Sequence, residues 1–194
     1  MKKTNILKNL VIPALALVIL AGSTSFCKRE RAYAQKYIPV EISESNDVRT
    51  LNIPVYSLND VKPGNCAGYV RNASKQIFRK DYAKTAAWDR RYHDRVIVPF
   101  GELHKGDKLE ELVDRGKLKP GMIIGVYNPG STHNGELDET GNILKYTHNI
   151  LYLGKDKDGK MKFANQFGKE TLVVDSEWMN SKGIIPREVI DAKN

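Results

Sequence analysis

The chain of 194 residues is 41% hydrophobic, 28% charged and 8% aromatic, and carries a net charge of +8. This composition excludes a disordered tail, a collagen and a polytopic membrane protein, and the length fits one domain of about 100–200 residues. Residues 1–34 carry six Lys or Arg and one Glu, which leaves +3 for the remainder. So small a charge predicts no nucleic-acid partner and fits weakly with work near an anionic wall polymer or membrane surface.

Residues 1–34 have the pattern of a signal peptide. Three lysines within the first eight residues precede the uncharged apolar run 10–21, and residues 32–34 (AYA) have the form of a cleavage site. As a helix the run spans about 18 Å, short of the ~30 Å hydrocarbon core, which disfavours a membrane anchor. Lipidation at Cys27 is a second alternative to simple export. We therefore expect a secreted or cell-envelope protein, whose only membrane association comes from this segment.

The rest of the chain predicts one domain over 60–194, preceded by an extended lead over 35–59 with a polar loop at 43–49. The turn at 63–65 opens a helix that begins at Cys66. One stripe of this helix is apolar: Val70, Ala73, Ile77 and Phe78.

The remaining predicted elements are two helices followed mainly by strands. In chain order they are a helix over 82–91, a helix capped by Asp107 and Glu110 and ended by Gly116, a strand over 122–127, a polar loop over 128–142, strands over 146–153 and 161–167 joined by a turn at 155–159, a short strand over 171–174, and a closing segment with Trp178 and 186–190. Helices followed by consecutive antiparallel strands predict an α+β domain.

The cysteine count directs attention to Cys66. If Cys27 is removed or lipidated, Cys66 is the sole thiol in an oxidising compartment and cannot form an internal disulfide. It is then either a small buried hydrophobic residue or a nucleophile. A helix N-terminus stabilises a thiolate, and a neighbouring imidazole would activate it further.

Of the four histidines, His148 is the one that lies in an apolar strand pattern, so it is the candidate base. An orienting polar group is expected on the partner strand of the predicted hairpin. If the turn is centred between residues 156 and 157, Asn165 lies directly opposite His148. If residues 158–159 form a tight two-residue turn, Lys169 lies there instead. A bulge would bring in Gln166 instead. The sequence leaves these registers open.

Four segments in this order resemble the NlpC-type and CHAP-type cysteine peptidase/amidase superfamily, which has a papain-like fold. They are NCAGYVRNASKQIF followed by AAW, LKPGMIIGVYN, YTHNILYLG and FANQFG. The resemblance covers about residues 60–175, and it lies in the order and spacing of short motifs. Met122 stands where many relatives have Asp, and Gly68 and Tyr69 differ from the commoner residues after the cysteine.

The resemblance implies an α+β, papain-like fold in which N-terminal helices pack on an antiparallel sheet. It implies hydrolysis of amide bonds in the peptides of bacterial peptidoglycan, without a cofactor. Carried over by position, Cys66 is the nucleophile, His148 the general base and Asn165 the orienting residue. Two alternatives remain: a non-catalytic wall-binding module of the same fold, and an acyltransferase that forms the same thioester.

Substrate contacts are predicted at three positions. Tyr56 offers a hydroxyl donor for the oxyanion, Arg71 offers a partner for a wall-peptide carboxylate, and Asn128 with the loop through His133 offers a cleft wall. A packed strand tyrosine and a solvated helix arginine are the plainer interpretations of the first two. His133 and His148 lack a third ligand at useful spacing, so no metal site is expected.

Overall fold

The computed structural model describes residues 36–44, 47–55, 66–82, 94–104, 108–129, 148–168 and 170–193. The chain divides into two compact units, 1–34 and 35–194, and all described residues belong to the second. The predicted export segment therefore lies outside the described residues. Within them, no helix combines the length and hydropathy needed to cross a bilayer.

The described residues form an α+β unit, mostly antiparallel sheet with few helices, which confirms the predicted class. The strands are β1 (Lys36–Glu44), β2 (Asp47–Val55), β3 (Arg95–Val98), β4 (Ile123–Tyr127), β5 (His148–Lys155), β6 (Met161–Phe167), β7 (Glu170–Asp175) and β8 (Ile185–Asp191). The helices are α1 (Cys66–Phe78), α2 (Leu109–Asp114) and α3 (Ser176–Ser181). β3 and α3 are not among the elements that the sequence predicted.

The strands join in one antiparallel sheet with the order β2-β1-β5-β4-β8-β3. β6 branches from this path because it pairs with β5 on one side and with β7 on the other. β5 is thus the strand on which the sheet divides. It pairs with β4 over His148–Leu151 and with β6 over Leu151–Lys155.

Alternate residues of β5 belong to two different buried clusters, as expected for a strand covered on both faces. Leu151 and Leu153 share a cluster with Tyr69 of α1, and we call this side the α1 face. Ile150 and Tyr152 belong to a second cluster on what we call the far face. Faces of neighbouring strands correspond, since paired residues point the same way.

The apolar stripe predicted for α1 is confirmed. Val70 and Ala73 are fully buried, and Ile77 and Phe78 pack against the same cluster as partly buried residues. The Ser74 hydroxyl donates a hydrogen bond to the Gly121 carbonyl at 2.9 Å. The periodicity of 3.6 residues therefore places one side of α1 in the same cluster as residues of β5 and β6.

The predicted lead contributes strands to the same sheet. The loop expected over 43–49 is wrong, because β1 continues to Glu44 and β2 begins at Asp47. Ser43 pairs with Lys155 of β5, and Ile42 is fully buried. The two strands therefore include polar and mostly exposed residues whose composition suggested a loop. The described residues in the first half of the unit are not predominantly helical.

The capping predicted for α2 is also wrong. The cap residue is Lys108, whose side chain makes no capping hydrogen bond. Glu110 instead accepts a hydrogen bond from the Ser176 hydroxyl at 3.2 Å. Gly116 has φ +66°, the left-handed conformation typical of a helix end, as predicted. Asp107 lies outside the described residues.

The helix predicted over 82–91 is not described beyond its first residue. Tyr82 belongs to no helix, and its hydroxyl donates to the Gly121 carbonyl at 2.8 Å. Residues 83–93, including Trp88, lie outside the described residues.

Gly154 is the position where β5 tolerates no side chain. It has φ +130° at a register shift between β5 and β6, and a Cβ there would lie 2.5 Å from Ile42 Cγ2. We expect Gly154→Ala to lower the free energy of unfolding by about 3 kcal/mol, from overpacking and backbone strain together. Urea denaturation measures this loss.

Gly159→Ala is the matched control. Gly159 also has a positive φ, +77°, but a Cβ there meets nothing within 4 Å. It should cost only about 1 kcal/mol, the strain alone. Equal losses in the two variants would show that contact with Ile42 does not matter.

Candidate active site

Cys66 is the first residue of α1, as the sequence predicted. The first N–H groups of a helix have no partner within it, and they carry partial positive charge. A thiolate is therefore favoured there over a thiol. The side chain is half-buried and makes no disulfide.

The sheet divides next to this sulfur. The ladder between β5 and β6 ends at the pair Leu151 and Ala164. Beyond it, β5 continues on β4 as far as His148, while β6 continues on β7 as far as Phe167. We call the place where β5 and β6 part the fork. All the polar strand residues of the site lie on its two arms.

Strand alternation assigns these residues to opposite faces. Extending the pair Leu151 and Ala164 places His148 level with Phe167, and His148 and Asn165 share the far face. Asn149 and Gln166 share the α1 face. Both registers predicted from the sequence are therefore wrong, since neither Asn165 nor Lys169 is directly opposite His148. On the extended register Asn165 is instead diagonal to His148, two residues from Phe167 on the same face.

The structure brings Cys66 together with His148 and Asn149. Asn149 Nδ2 donates a hydrogen bond to Cys66 Sγ at 3.7 Å. Burial raises the pKa of the Cys66 thiol, but a hydrogen bond and the charge of His148, with hydrogen bonds from Asn149, lower it more. The pKa falls to about 7, so that about half of the thiol is ionised at neutral pH.

The imidazole of His148 is 7% exposed and packs on the ring of Phe167, with centroids 4.8 Å apart. Phe167 in turn meets Trp178 of α3 edge-on at 5.6 Å. These aromatic contacts restrict the orientation of the imidazole.

Asn165 is fully buried, and neither polar atom of its side chain has a hydrogen-bond partner among the described residues. His148 Nε2 is also buried without such a partner. Buried amides are normally hydrogen-bonded, so these atoms are unusual. The two residues share a face, but no hydrogen bond joins them in this structure. Gln166 lies on the opposite face, and its Oε1 is likewise unpartnered among those residues.

The residues predicted to contact substrate differ in how close they lie to the site. Arg71 is half-buried on α1, about 140° around the helix axis from Cys66 at 100° per residue. Asn128 is 5% exposed and follows β4 two residues after Val126, the partner of His148. It therefore lies near the base, whereas Arg71 is on another side of its helix. Tyr56 and His133 lie outside the described residues.

Asn149 is the site residue that sequence reasoning missed. Seven of the eight residues of β5 are buried, and most of them are apolar. A buried amide within such a strand needs a hydrogen-bond partner, and this requirement could have identified Asn149 as a site residue from the sequence. Among the described residues, no three His, Cys, Asp or Glu side chains lie close enough to bind a metal ion.

The comparisons with known proteins identify no relative. No family model matches the chain, and no curated protein or solved structure matches it significantly. The interpretation of the site therefore depends on its own geometry and on the sequence motifs.

Proposed function

We propose that this protein is an exported cysteine peptidase or amidase that hydrolyses amide bonds in peptidoglycan peptides, with Cys66, His148 and Asn165 as its triad. One arrangement carries the proposal: a half-buried thiol stands at a helix N-terminus and accepts a hydrogen bond from Asn149 at 3.7 Å, and the nearby imidazole of His148 helps to lower its pKa to about 7. Such a thiol is a nucleophile at neutral pH. The proposal includes a papain-like fold of the NlpC or CHAP type.

The reaction would proceed in two steps. The Cys66 thiolate attacks the carbonyl carbon of an amide, and the C=O electron pair moves to oxygen. When the tetrahedral intermediate collapses, the C–N bond breaks and His148 gives its proton to the leaving amine. Water, deprotonated by the same imidazole, then attacks the thioester carbonyl. The C–S bond breaks, which releases the acid and regenerates the Cys66 thiolate. The backbone N–H of Cys66 at the helix start would donate to the oxyanion.

Asn165 is the orienting residue in this proposal. It shares the far face with His148, and each has a buried polar atom without a partner among the described residues. A small shift of β6 toward β5 at the fork would let the Asn165 oxygen accept a hydrogen bond from His148 Nε2. Gln166 is disfavoured for this role because strand alternation directs it to the other face.

Three sequence features support peptidoglycan as the substrate class. The N-terminal segment has the pattern of an export signal, the motif order resembles wall hydrolases, and residues 35–194 carry a weak positive charge. An anionic wall polymer suits that charge. Asn128, near His148, remains a predicted substrate contact, as do Arg71 and Tyr56.

Digestion of purified peptidoglycan by the mature protein tests the proposal. Mass spectrometry should find peptides with new amino and carboxyl termini and intact sugar chains. An added amine acceptor separates the alternatives: aminated products in place of free acids would indicate the acyltransferase. Binding of the protein to peptidoglycan with no new termini would indicate the non-catalytic module and overturn the proposal.

A further inference from the structure

Asn149 contacts the reactive sulfur independently of His148. Its Nδ2 donates to Cys66 Sγ at 3.7 Å, and the residue is only 2% exposed. Water competes little with a hydrogen bond in such a place, and low local polarity strengthens it. A side-chain donor is thus directed at the atom on which negative charge would form.

The main chain of Asn149 supplies a second donor. The Tyr152 N–H donates to Met122 on the β4 side at 3.0 Å, so alternation turns the Asn149 N–H toward β6. The ladder with β6 ends at the pair Leu151 and Ala164, two residues before Asn149 is reached. The main chain of Asn149 is among the groups that lower the pKa of the Cys66 thiol, as an N–H directed at the sulfur would.

We propose that Asn149 holds the Cys66 thiolate through these two donors, while His148 takes the proton; this inference rests on the proposed function. In the step, the S–H bond breaks, its proton passes to an imidazole nitrogen, and the electron pair stays on sulfur. Asn149 keeps both of its protons and only donates hydrogen bonds. Adjacent residues on opposite faces of one strand thus divide the two tasks.

Alkylation by iodoacetamide across a pH series tests the assignment, because its rate follows the thiolate fraction. In the wild type the rate should rise with a midpoint near pH 7. Asn149→Leu has a similar size but no side-chain donor, and should raise the midpoint by about one pH unit and slow alkylation at pH 7 about fivefold. Asn149→Asp should raise it further, since a carboxylate repels the thiolate.

Thr171→Val is the matched control. Thr171 pairs with Gln166, and its Oγ1 is buried on the α1 face without a partner among the described residues. It lies two strands from Asn149, about 10 Å away, and its removal should leave the midpoint unchanged. Circular dichroism shows which variants fold. If Asn149→Leu does not fold, the midpoint of Asn149→Asp is the deciding measurement.

A wild-type midpoint in a folded Asn149→Asp variant overturns the inference. Alkylation requires no hydrolysis, so its outcome is distinguishable from failure of the proposed function. A shifted midpoint in a protein that leaves peptidoglycan intact would support the role of Asn149 and count against the hydrolase.

Discussion

Replacing Cys66 by Ala is expected to reduce peptidoglycan hydrolysis by at least about 10³-fold, because it removes the thiolate that forms the acyl intermediate in the proposed mechanism. The rate of release of new amino termini measures the loss. Cys66→Ser should be nearly as inactive, since a hydroxyl is not ionised near pH 7 as this thiol is. The two variants together separate loss of the nucleophile from loss of side-chain volume.

Stability controls accompany this prediction. Cys66 is half-buried, so its replacement should change the melting temperature only slightly. A folded Cys66→Ala variant that gives the wild-type products at the wild-type rate would place the chemistry elsewhere. A variant that binds peptidoglycan like the wild type but cleaves nothing is the expected result.

Replacing His148 by Ala is expected to lower kcat/KM about 10²–10⁴-fold, the range for loss of a positioned acid–base group. The variant also loses the hydrogen bond and charge that lower the pKa of the Cys66 thiol. That pKa should therefore rise, and the ascending limb of activity should move to higher pH. High pH would restore the thiolate but not the proton donor, so recovery should be incomplete.

His104→Ala is the control for loss of an imidazole. His104 is exposed in the segment between β3 and α2, and activity should be unchanged. Steady-state rates across pH, with circular dichroism of each variant, decide the comparison. If His148→Ala recovered fully at high pH, His148 would act only by promoting ionisation of the thiol.

The parts of the fold that the sequence predicted are those with strong local signals. The 3.6-residue stripe from Val70 to Phe78 predicted α1, and the turn before Met161 predicted β6 with its observed bounds. The segment around Ser43 was misassigned because polar residues on an exposed face resemble a loop. The described residues of this segment are not buried, so pairing between β1 and β2, rather than an apolar pattern, makes them strand.

The site was predicted in part for a similar reason. A helix start at Cys66 and a strand residue at His148 are local features. The register between β5 and β6 is not a local feature, because it depends on the irregularity at Gly154, which no turn motif in the sequence predicts. Asn149 was overlooked because its partner lies 83 residues earlier in the chain.

The irregularity at Gly154 makes the chemistry sensitive to chain length. Successive side chains of a strand point to opposite faces of the sheet. The face that each residue occupies at the fork therefore depends on whether the number of residues between it and Gly154 is odd or even. Losing one residue there, with the turn held in place, would move His148 to the position of Asn149 and Asn149 to that of Ile150, so that the imidazole and the amide would exchange faces. Insertions or deletions of two residues would preserve this parity, so natural variants of this hairpin should differ in length by even numbers.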